Sequence, residues 1–154
     1  MPKASVKRLI ECEKKDLIDL VLDIEKYPEF VPFCFGAKIY ENKKEGELTK
    51  IIADLTIGKG PFKDTYKSDV VFNRKEDSIY VKNIEGPLNH LSNNWNFVYK
   101  ENGITEVTFD IDFEIKNKFL NSLMVISFQF GLEKIADAFQ KRAEQLFSSS
   151  KNKI

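Results

Sequence analysis

The fold of this chain is decided by the stretch TEVTFDIDFEIK at residues 105–116 and by the segment that follows it. Apolar and polar residues alternate strictly from Val107 to Ile115, which is the two-residue period of a half-buried antiparallel strand. Between residues 118 and 147 the apolar side chains recur at spacings of three and four, as on one face of a helix. A curved sheet that packs against one long helix leaves room for an internal cavity. Aliphatic and aromatic walls would suit that cavity to an apolar molecule.

Length and composition indicate one globular domain. The 154 residues fit a single domain over residues 1–147, with residues 148–154 as a frayed tail. Hydrophobic residues make up 42% of the chain, and no apolar run approaches the roughly 18–20 residues that a membrane-spanning helix needs. The first residues lack the apolar stretch of a secretory signal. We therefore expect a cytoplasmic protein that reaches at most the inner face of the cell membrane.

Charge and cysteine content exclude several classes of partner. The 24 basic residues balance the 24 acidic residues, so no overall basic field attracts nucleic acid, and we expect no DNA partner. Cys12 and Cys34 are too few and too far apart for a disulfide framework or a zinc site. Each is predicted to be a small buried hydrophobic residue.

The remaining pattern predicts an α+β fold with two helices and seven antiparallel strands. A first helix is expected at residues 14–24, ended by Tyr27-Pro28, because the residue before a proline disfavours helical geometry. Breaks are expected at residues 58–62 and 86–87. The strands are predicted at residues 3–12, 37–43, 47–58, 66–74, 78–85, 91–100 and 105–116.

Motifs for catalysis are missing from the sequence. His90 is the one histidine and lies in a turn-like polar context, which is typical of a surface or capping residue. A Ser-His-Asp triad remains compatible with the spacing, but no Gly-x-Ser-x-Gly elbow presents a nucleophile. Asp110, Asp112 and Glu114 share the solvent side of their strand, and residues 58–61 form a bend rather than a phosphate loop. The residues therefore predict a protein that is not an enzyme and has no metal or catalytic cofactor.

The segment YPEFVPFCFG at residues 27–36 holds four aromatic residues and two prolines. A stiff aromatic loop is exposed only when it closes a pocket or touches a membrane. Tyr27, Phe30, Val31 and Phe33 are therefore predicted to contact a ligand or to gate its entry. The structural alternative is a loop that merely caps the core.

Several short motifs occur in order along nearly the whole chain. They are residues 27–34, Gly86-Pro87-Leu88, Trp95-Asn96-Phe97, Asp112-Phe113-Glu114 with Asn117, and Ala138-Phe139 with Arg142-Ala143. Together they resemble the coenzyme Q-binding START-domain proteins and the related ribosome-association toxins of the RatA type, within the polyketide cyclase/START-like superfamily. The chain departs from that pattern at Leu88-Asn89, where the family usually has Phe-Lys, and at Asn93-Asn94, where it usually has a glycine before the tryptophan.

The resemblance implies a helix-grip fold, in which a curved seven-stranded antiparallel sheet wraps around a long C-terminal helix. It also implies a hydrophobic tunnel for ubiquinone or another isoprenoid lipid, no catalytic residues, and a role in cellular respiration. Taken singly, each predicted tunnel residue could be plain core packing, and only their collective arrangement favours a ligand. Besides the loop residues, the predicted tunnel residues are Leu88, Trp95, Phe97, Phe109, Phe113, Met124, Phe128 and Phe139.

Two classes of function follow from the sequence. In the first, the protein carries ubiquinone or a similar lipid and docks transiently at a membrane surface. In the second, it is a regulatory protein that acts on the ribosome and interferes with the association of ribosomal subunits. Contacts to ribosomal phosphates favour a basic surface, and this chain has no net charge. The sequence therefore favours the lipid carrier, with a cyclase-like enzyme as a third alternative.

Overall fold

A computed structural model describes residues 3–59, 61–86 and 88–147 of the chain. Side chains are described in these ranges except at residues 59, 62, 85, 88, 115, 120, 121 and 123–128. The elements in chain order are β1 (Lys3–Glu11), α1 (Lys14–Leu22), a short 3-10 helix (Ile24–Glu29), β2 (Cys34–Glu45), β3 (Leu48–Lys59), β4 (Phe62–Asn73), β5 (Ser78–Glu85), β6 (Leu88–Glu101), β7 (Ile104–Ile115) and α2 (Lys118–Phe147). The tail predicted to fray, residues 148–154, lies outside the described residues.

The strands form one seven-stranded antiparallel sheet in the order β1-β7-β6-β5-β4-β3-β2. α2 contains 30 residues, which is about 45 Å of helix, and it packs against β1, β7 and α1. The predicted alternation of β7 places Val107, Phe109 and Phe113 in the core. The predicted α+β class and helix-grip fold are confirmed.

α2 also covers the free edge of the sheet at β1. Gln140 Nε2 donates a hydrogen bond to the carbonyl oxygen of Leu9 at 3.2 Å, and the Glu11 N–H donates to Glu144 Oε2 at 3.0 Å. Unpaired strand edges invite pairing with other chains. These contacts therefore protect the edge while they fix the helix across the sheet. None of the described helices is long and apolar enough to cross a membrane.

The predicted element boundaries are wrong at several places. β2 begins at Cys34 rather than at residue 37, because a bulge between Cys34 and Gly36 shifts the alternation by one residue. β4 begins at Phe62 and β6 at Leu88, several residues earlier than predicted. Backbone pairing continues there although the alternation of apolar side chains has stopped.

The first helix also ends differently from the prediction. α1 stops at Leu22, and the 3-10 helix that follows contains Pro28 instead of being ended by it. The Tyr27 hydroxyl donates a hydrogen bond to the carbonyl oxygen of Val21. Tertiary contact between the two helices therefore holds residue 27 in helical geometry against the local preference set by the proline.

Candidate functional site

An internal cavity of about 230 Å³ lies between the concave face of the sheet, α1, the loop after the 3-10 helix, and α2. Its described walls are mainly aliphatic and aromatic, and no Asp, Glu, Lys, Arg or His is among the described lining residues. Burying an unpaired charge in such surroundings is costly. The cavity therefore suits an uncharged molecule with a mainly apolar surface. The polar side-chain groups in its described walls belong to Tyr27, Cys34, Tyr66, Ser68, Asn93 and Trp95.

The sheet arranges the cavity floor in rows that run across the strands. One of these rows, called here the Ile51 row, joins neighbouring residues of β3 to β7, which are Ile51, Val70, Val81, Asn93 and Ile111. All of them except Ile51 line the cavity, as do Ile79, Trp95 and Phe109 in the next row. Along β3 the inward residues change from Ile57, which is 37% exposed, to Ile51, which is 1% exposed. At about 3.3 Å per residue, these two positions lie roughly 20 Å apart along the strand, and exposure falls from Ile57 toward the core.

A cluster of aromatic rings forms one wall of the cavity. The Trp95 ring lies 4.2 Å from the ring of Phe109 and 5.1 Å from that of Phe139, measured between centroids. The Phe139 ring in turn meets Tyr27 at 5.4 Å and Phe30 at 5.1 Å, edge to face. Phe139 therefore joins α2 to the sheet and to the 3-10 helix at one point.

The mouth of the cavity is formed by the loop that precedes β2. Phe33 has a φ of 69°, a left-handed conformation that is rare for a bulky residue and costs about 1–2 kcal/mol. Its carbonyl oxygen accepts a hydrogen bond from the Gly58 N–H at 3.0 Å. Its ring meets α2 at Gly131, where a Cβ atom would lie 3.9 Å from Phe33 Cε2. Phe33 thus bridges β3 and α2 across the mouth.

Phe30 lies on the other side of this loop, in a shallow outer groove rather than in the cavity. The guanidinium of Arg142 lies over its ring at 5.1 Å, and Arg142 Nη2 contacts Glu29 Oε1 at 2.9 Å. These contacts fasten the 3-10 helix to α2. The outer side of the loop is therefore attached to α2, whereas Phe33 faces the cavity.

Tyr66 is placed in the cavity by a close approach of two strands. Gly86 has a φ of 139°, and a Cβ at this position would lie 2.7 Å from Tyr66 Cβ and 2.9 Å from Tyr66 Cα. Only glycine allows the end of β5 to pass β4 at this distance. The Gly86-Pro87 break in the sequence therefore shapes the cavity wall.

The titratable groups of the cavity stay protonated at neutral pH. Burial raises the pKa of Tyr66, and nearby Cys34 adds to this shift. Burial likewise raises the pKa of the Tyr27 hydroxyl and of the Cys34 thiol. Near α1, burial raises the pKa of the Cys12 thiol to about 12, and the negative charges of Asp16, Glu13 and Glu144 add to this shift. The described lining residues thus offer hydrogen-bond donors but no base or thiolate.

Both cysteines are free and buried, which confirms the prediction that they are small core residues. His90 lies on the outer face of the sheet, where its Nε2 is 3.7 Å from Asp112 Oδ2. Among the described residues, no three His, Cys, Asp or Glu side chains lie together as metal ligands would.

The predicted ligand-contact residues divide into three groups. Phe97 is buried next to Trp95 with its ring 6.3 Å away, but like Phe30 it does not line the cavity. The side chains of Leu88, Met124 and Phe128 lie outside the described residues. The predicted residues that line the cavity are Tyr27, Val31, Phe33, Trp95, Phe109, Phe113 and Phe139.

More than half of the described lining was not predicted from the sequence. The alternation of β3, β4 and β5 contained the necessary signal, since it shows which side chains share a face. It does not show how deep each position lies, which depends on pairing between strands. The unpredicted lining residues are Val21, Ile24, Pro32, Cys34, Leu55, Ile57, Tyr66, Ser68, Val70, Ile79, Val81, Leu91, Asn93, Ile111 and Ile135.

The chain matches one known protein family over most of its length. The family described as polyketide cyclase / dehydrase and lipid transport matches residues 12–140. The chain belongs to this family. A relative in Rickettsia prowazekii named ribosome association toxin RatA is 33% identical over 143 residues, which are 90% of this chain and 94% of the relative. The mitochondrial coenzyme Q-binding protein COQ10 of Dictyostelium discoideum is 30% identical over 133 residues, which are 85% of this chain and 63% of that protein.

Solved structures of the polyketide cyclase and lipid transport fold superpose over most of the chain. The solution structure of the 18 kDa protein CC1736 from Caulobacter crescentus has a TM-score of 0.78 at 27% identity, and covers 95% of this chain and 98% of its own. The Zhui aromatase/cyclase from Streptomyces sp. R1128 has a TM-score of 0.77 at 13% identity, with 93% of each chain covered. The curated relatives are thus named as binding or regulatory proteins, and the same fold also occurs in an enzyme.

Proposed function

We propose that this chain binds ubiquinone or a similar hydrophobic lipid in its internal cavity, without catalysing a reaction, and supports quinone delivery in respiratory electron transport. The observation that carries the proposal is the apolar cavity, whose described walls hold no ionised side chain. The Trp95 and Phe109 rings at its wall offer an aromatic surface for a quinone ring. The name of the coenzyme Q-binding relative supports the choice of ligand.

The size of the cavity decides which part of such a lipid it holds. In another protein an engineered cavity of roughly 150 Å³ binds benzene. A cavity of about 230 Å³ is therefore large enough for a substituted quinone ring but not for a long isoprenoid tail. In this proposal the tail leaves through the mouth beside Phe33. A short-chain quinone should consequently bind almost as well as a long one.

The proposal is tested through the fluorescence of Trp95, the one tryptophan of the chain. A short-chain ubiquinone is expected to quench this fluorescence saturably, because a quinone in contact with an excited indole accepts its electron. N-acetyltryptophanamide at the same concentration provides the collisional baseline. Quenching that only matches this baseline, together with no quinone in organic extracts of protein purified without detergent, would refute quinone binding.

Two exposed aromatic rings beside the mouth favour docking at a membrane. Phe35 is 51% exposed and Phe130 is 54% exposed. Lys63 Nζ lies 4.0 Å from the centre of the Phe35 ring, and Lys134 Nζ lies 4.8 Å from that of Phe130. Protein surfaces that bind anionic membranes typically insert aromatic rings among the lipid headgroups and place lysines beside them to contact the negative charges. We infer that this surface brings the mouth to the cytoplasmic face of a membrane.

Replacing both Phe35 and Phe130 with serine is expected to weaken binding to phosphatidylglycerol vesicles by at least tenfold, since burying one such ring in lipid gains about 1.5–3 kcal/mol. The melting temperature should change little because both rings are already half exposed. Flotation with the vesicles measures the binding. Serine at Tyr80 and Val98, which are 41% and 50% exposed on the outer face, is the matched control. Equal losses in both double variants would contradict docking at the mouth.

A ribosome-directed role is the second candidate function. It is favoured by the name of the Rickettsia prowazekii relative, and it is opposed by the absence of net positive charge. Sucrose-gradient sedimentation separates it from the lipid carrier. A fall in the proportion of joined ribosomal subunits on addition of the purified protein would select this second function.

A further inference from the structure

Asn93 is a polar residue within a mainly apolar wall of the cavity. It lies in the Ile51 row between Val81 on β5 and Ile111 on β7. The inward residues before and after it on β6 are Leu91 and Trp95, which are both buried. Within the described part of the chain, Asn93 Oδ1 is buried and has no hydrogen-bond partner. The side chain lines the cavity.

An unpartnered buried acceptor lowers the stability of the folded chain, and nearly all buried polar atoms in native proteins have a partner. An aliphatic side chain at residue 93 would match its neighbours in the row and would remove this cost. Residues that break a local rule in this way are expected at functional sites. The position of Asn93 in the cavity wall indicates that its partner is a ligand.

Two other neutral groups line the same wall between Asn93 and the mouth. Tyr66 pairs with Leu55 and Ser68 pairs with Ala53 on β3, so their side chains follow one another inward toward the Ile51 row. Ser68 is 1% exposed, and its Oγ is 3.4 Å from the carbonyl oxygen of Ala53, a long hydrogen bond. The cavity therefore carries a line of uncharged hydrogen-bonding groups that leads from Tyr66 through Ser68 toward Asn93.

We propose that the Asn93 amide binds an uncharged carbonyl or hydroxyl group of the ligand and holds the polar end of the ligand against this wall of the cavity. This inference rests on the proposed function and narrows it to one class of ligand. The unpartnered Oδ1 is an acceptor, so its partner is a donor such as a quinol hydroxyl, and the NH₂ of the same amide can donate to a quinone carbonyl.

The same geometry excludes lipids with a charged polar end. A carboxylate or phosphate beside Asn93 would be buried without a compensating charge, because the described lining contains no basic side chain. Fatty acids and phospholipid headgroups should therefore bind much more weakly than neutral ligands of equal length. The uncharged lining thus excludes a charged end, and Asn93 favours a neutral polar end over an apolar one.

The test compares four ligands that share a ten-carbon chain. Decylubiquinone and its quinol carry the neutral oxygen groups, decylbenzene carries no polar group, and 4-decylbenzoate carries a charge. Displacement of the neutral dye N-phenyl-1-naphthylamine gives their affinities on one scale. For the unaltered chain we expect decylubiquinone or its quinol to bind about tenfold more tightly than decylbenzene, and 4-decylbenzoate to bind least. Tighter binding of the quinone would mean that the Asn93 NH₂ donates to the ligand, and tighter binding of the quinol would mean that Oδ1 accepts from it.

Asn93→Leu keeps the branching of the side chain and removes its polar atoms. We expect this variant to lose the tenfold preference for the quinone or quinol over decylbenzene, while its melting temperature rises by about 2–4 °C because the unpartnered acceptor is gone. Asn94→Leu is the matched control, because Asn94 is the next residue of β6 and faces the other side of the sheet. It should keep the preference of the unaltered chain.

The outcomes separate this inference from the proposed function. If the unaltered chain binds none of the ligands, both are overturned. If it binds decylubiquinone and Asn93→Leu keeps the same preference over decylbenzene, the Asn93 subsite is overturned and the proposed function stands. If Asn93→Leu lowers the melting temperature and weakens all ligands equally, Asn93 has only a structural role and the subsite is again overturned.

Discussion

Phe139→Ala is expected to lower the free energy of unfolding by about 3–5 kcal/mol, as measured by urea denaturation. Phe139 is 4% exposed, and its ring contacts Trp95 of the sheet, Tyr27 of the 3-10 helix and Phe30 of the loop that follows. Removing the ring leaves a void between α2, the sheet and the 3-10 helix with its following loop, and all three would have to move to fill it. Because they belong to different parts of the fold, little of the void can close.

The matched control is Phe130→Ala on the same helix. Phe130 is 54% exposed, so its loss should change the free energy of unfolding by no more than about 0.5 kcal/mol. The helix propensity of the two substitutions is the same, and only the burial differs. Similar losses for the two variants would contradict the packing of α2 on the aromatic wall.

The strongest periodic patterns in the sequence predicted the fold correctly. β7 pairs with β1 in continuous register, so its two-residue alternation runs uninterrupted from end to end. β2 could not be predicted in the same way, because its pairing with β3 shifts between Cys34 and Gly36 and again between Ile39 and Glu41. Each shift reverses the relation between sequence position and sheet face. The alternation on which the sequence analysis depends is lost there.

The cavity was predicted in kind but only partly in its residues. Aromatic positions such as Trp95 and Phe113 were found because large rings rarely lie elsewhere. Val81 and Leu55 were missed, because an aliphatic residue in a strand gives no sign of whether it meets a helix or an open space. Asn93 was missed for the opposite reason, since a polar residue within a strand predicts a position facing solvent. Both errors arise from pairing across strands, which local sequence does not contain.

The side-chain directions in the aromatic loop at residues 27–36 could not be predicted from the sequence either. The sequence predicted that Phe30 and Phe33 act together at the mouth, but the structure places them on opposite sides of the loop. Phe33 meets α2 at Gly131 and lines the cavity, while Phe30 packs on Phe139 under Arg142. The left-handed conformation of Phe33 reverses the direction of the chain between the two rings. A pattern of aromatic residues does not predict such a turn.

Val81→Asp is expected to abolish quinone binding and to lower the free energy of unfolding by about 3 kcal/mol at pH 7. Val81 is 9% exposed, lines the cavity, and lies in the Ile51 row between Val70 and Asn93. A carboxylate at this position would be buried without a partner cation among the described lining residues. Urea denaturation and dye displacement measure the two effects.

The loss of stability in Val81→Asp should depend on pH in a direction that identifies its cause. Burial raises the pKa of the new carboxyl in the folded chain above its unfolded value of about 3.9. The folded state then binds its proton more tightly, so the penalty is largest above the folded pKa and shrinks as the pH falls through it. Relative to the unaltered chain, the variant should therefore regain stability between pH 8 and pH 5. Val81→Asn has no titrating group, and its deficit should not change over this range.

Lys82→Asp supplies the matched control for position. Lys82 is the next residue of β5 and is exposed on the outer face of the sheet. The same carboxylate placed there meets water, so quinone binding and stability should both stay close to those of the unaltered chain. If Lys82→Asp lost as much as Val81→Asp, the loss would not come from burial in the cavity wall. If the deficit of Val81→Asp were the same at pH 5 and pH 8, the carboxylate at residue 81 would be hydrated. A hydrated residue 81 would contradict its position in an enclosed apolar wall.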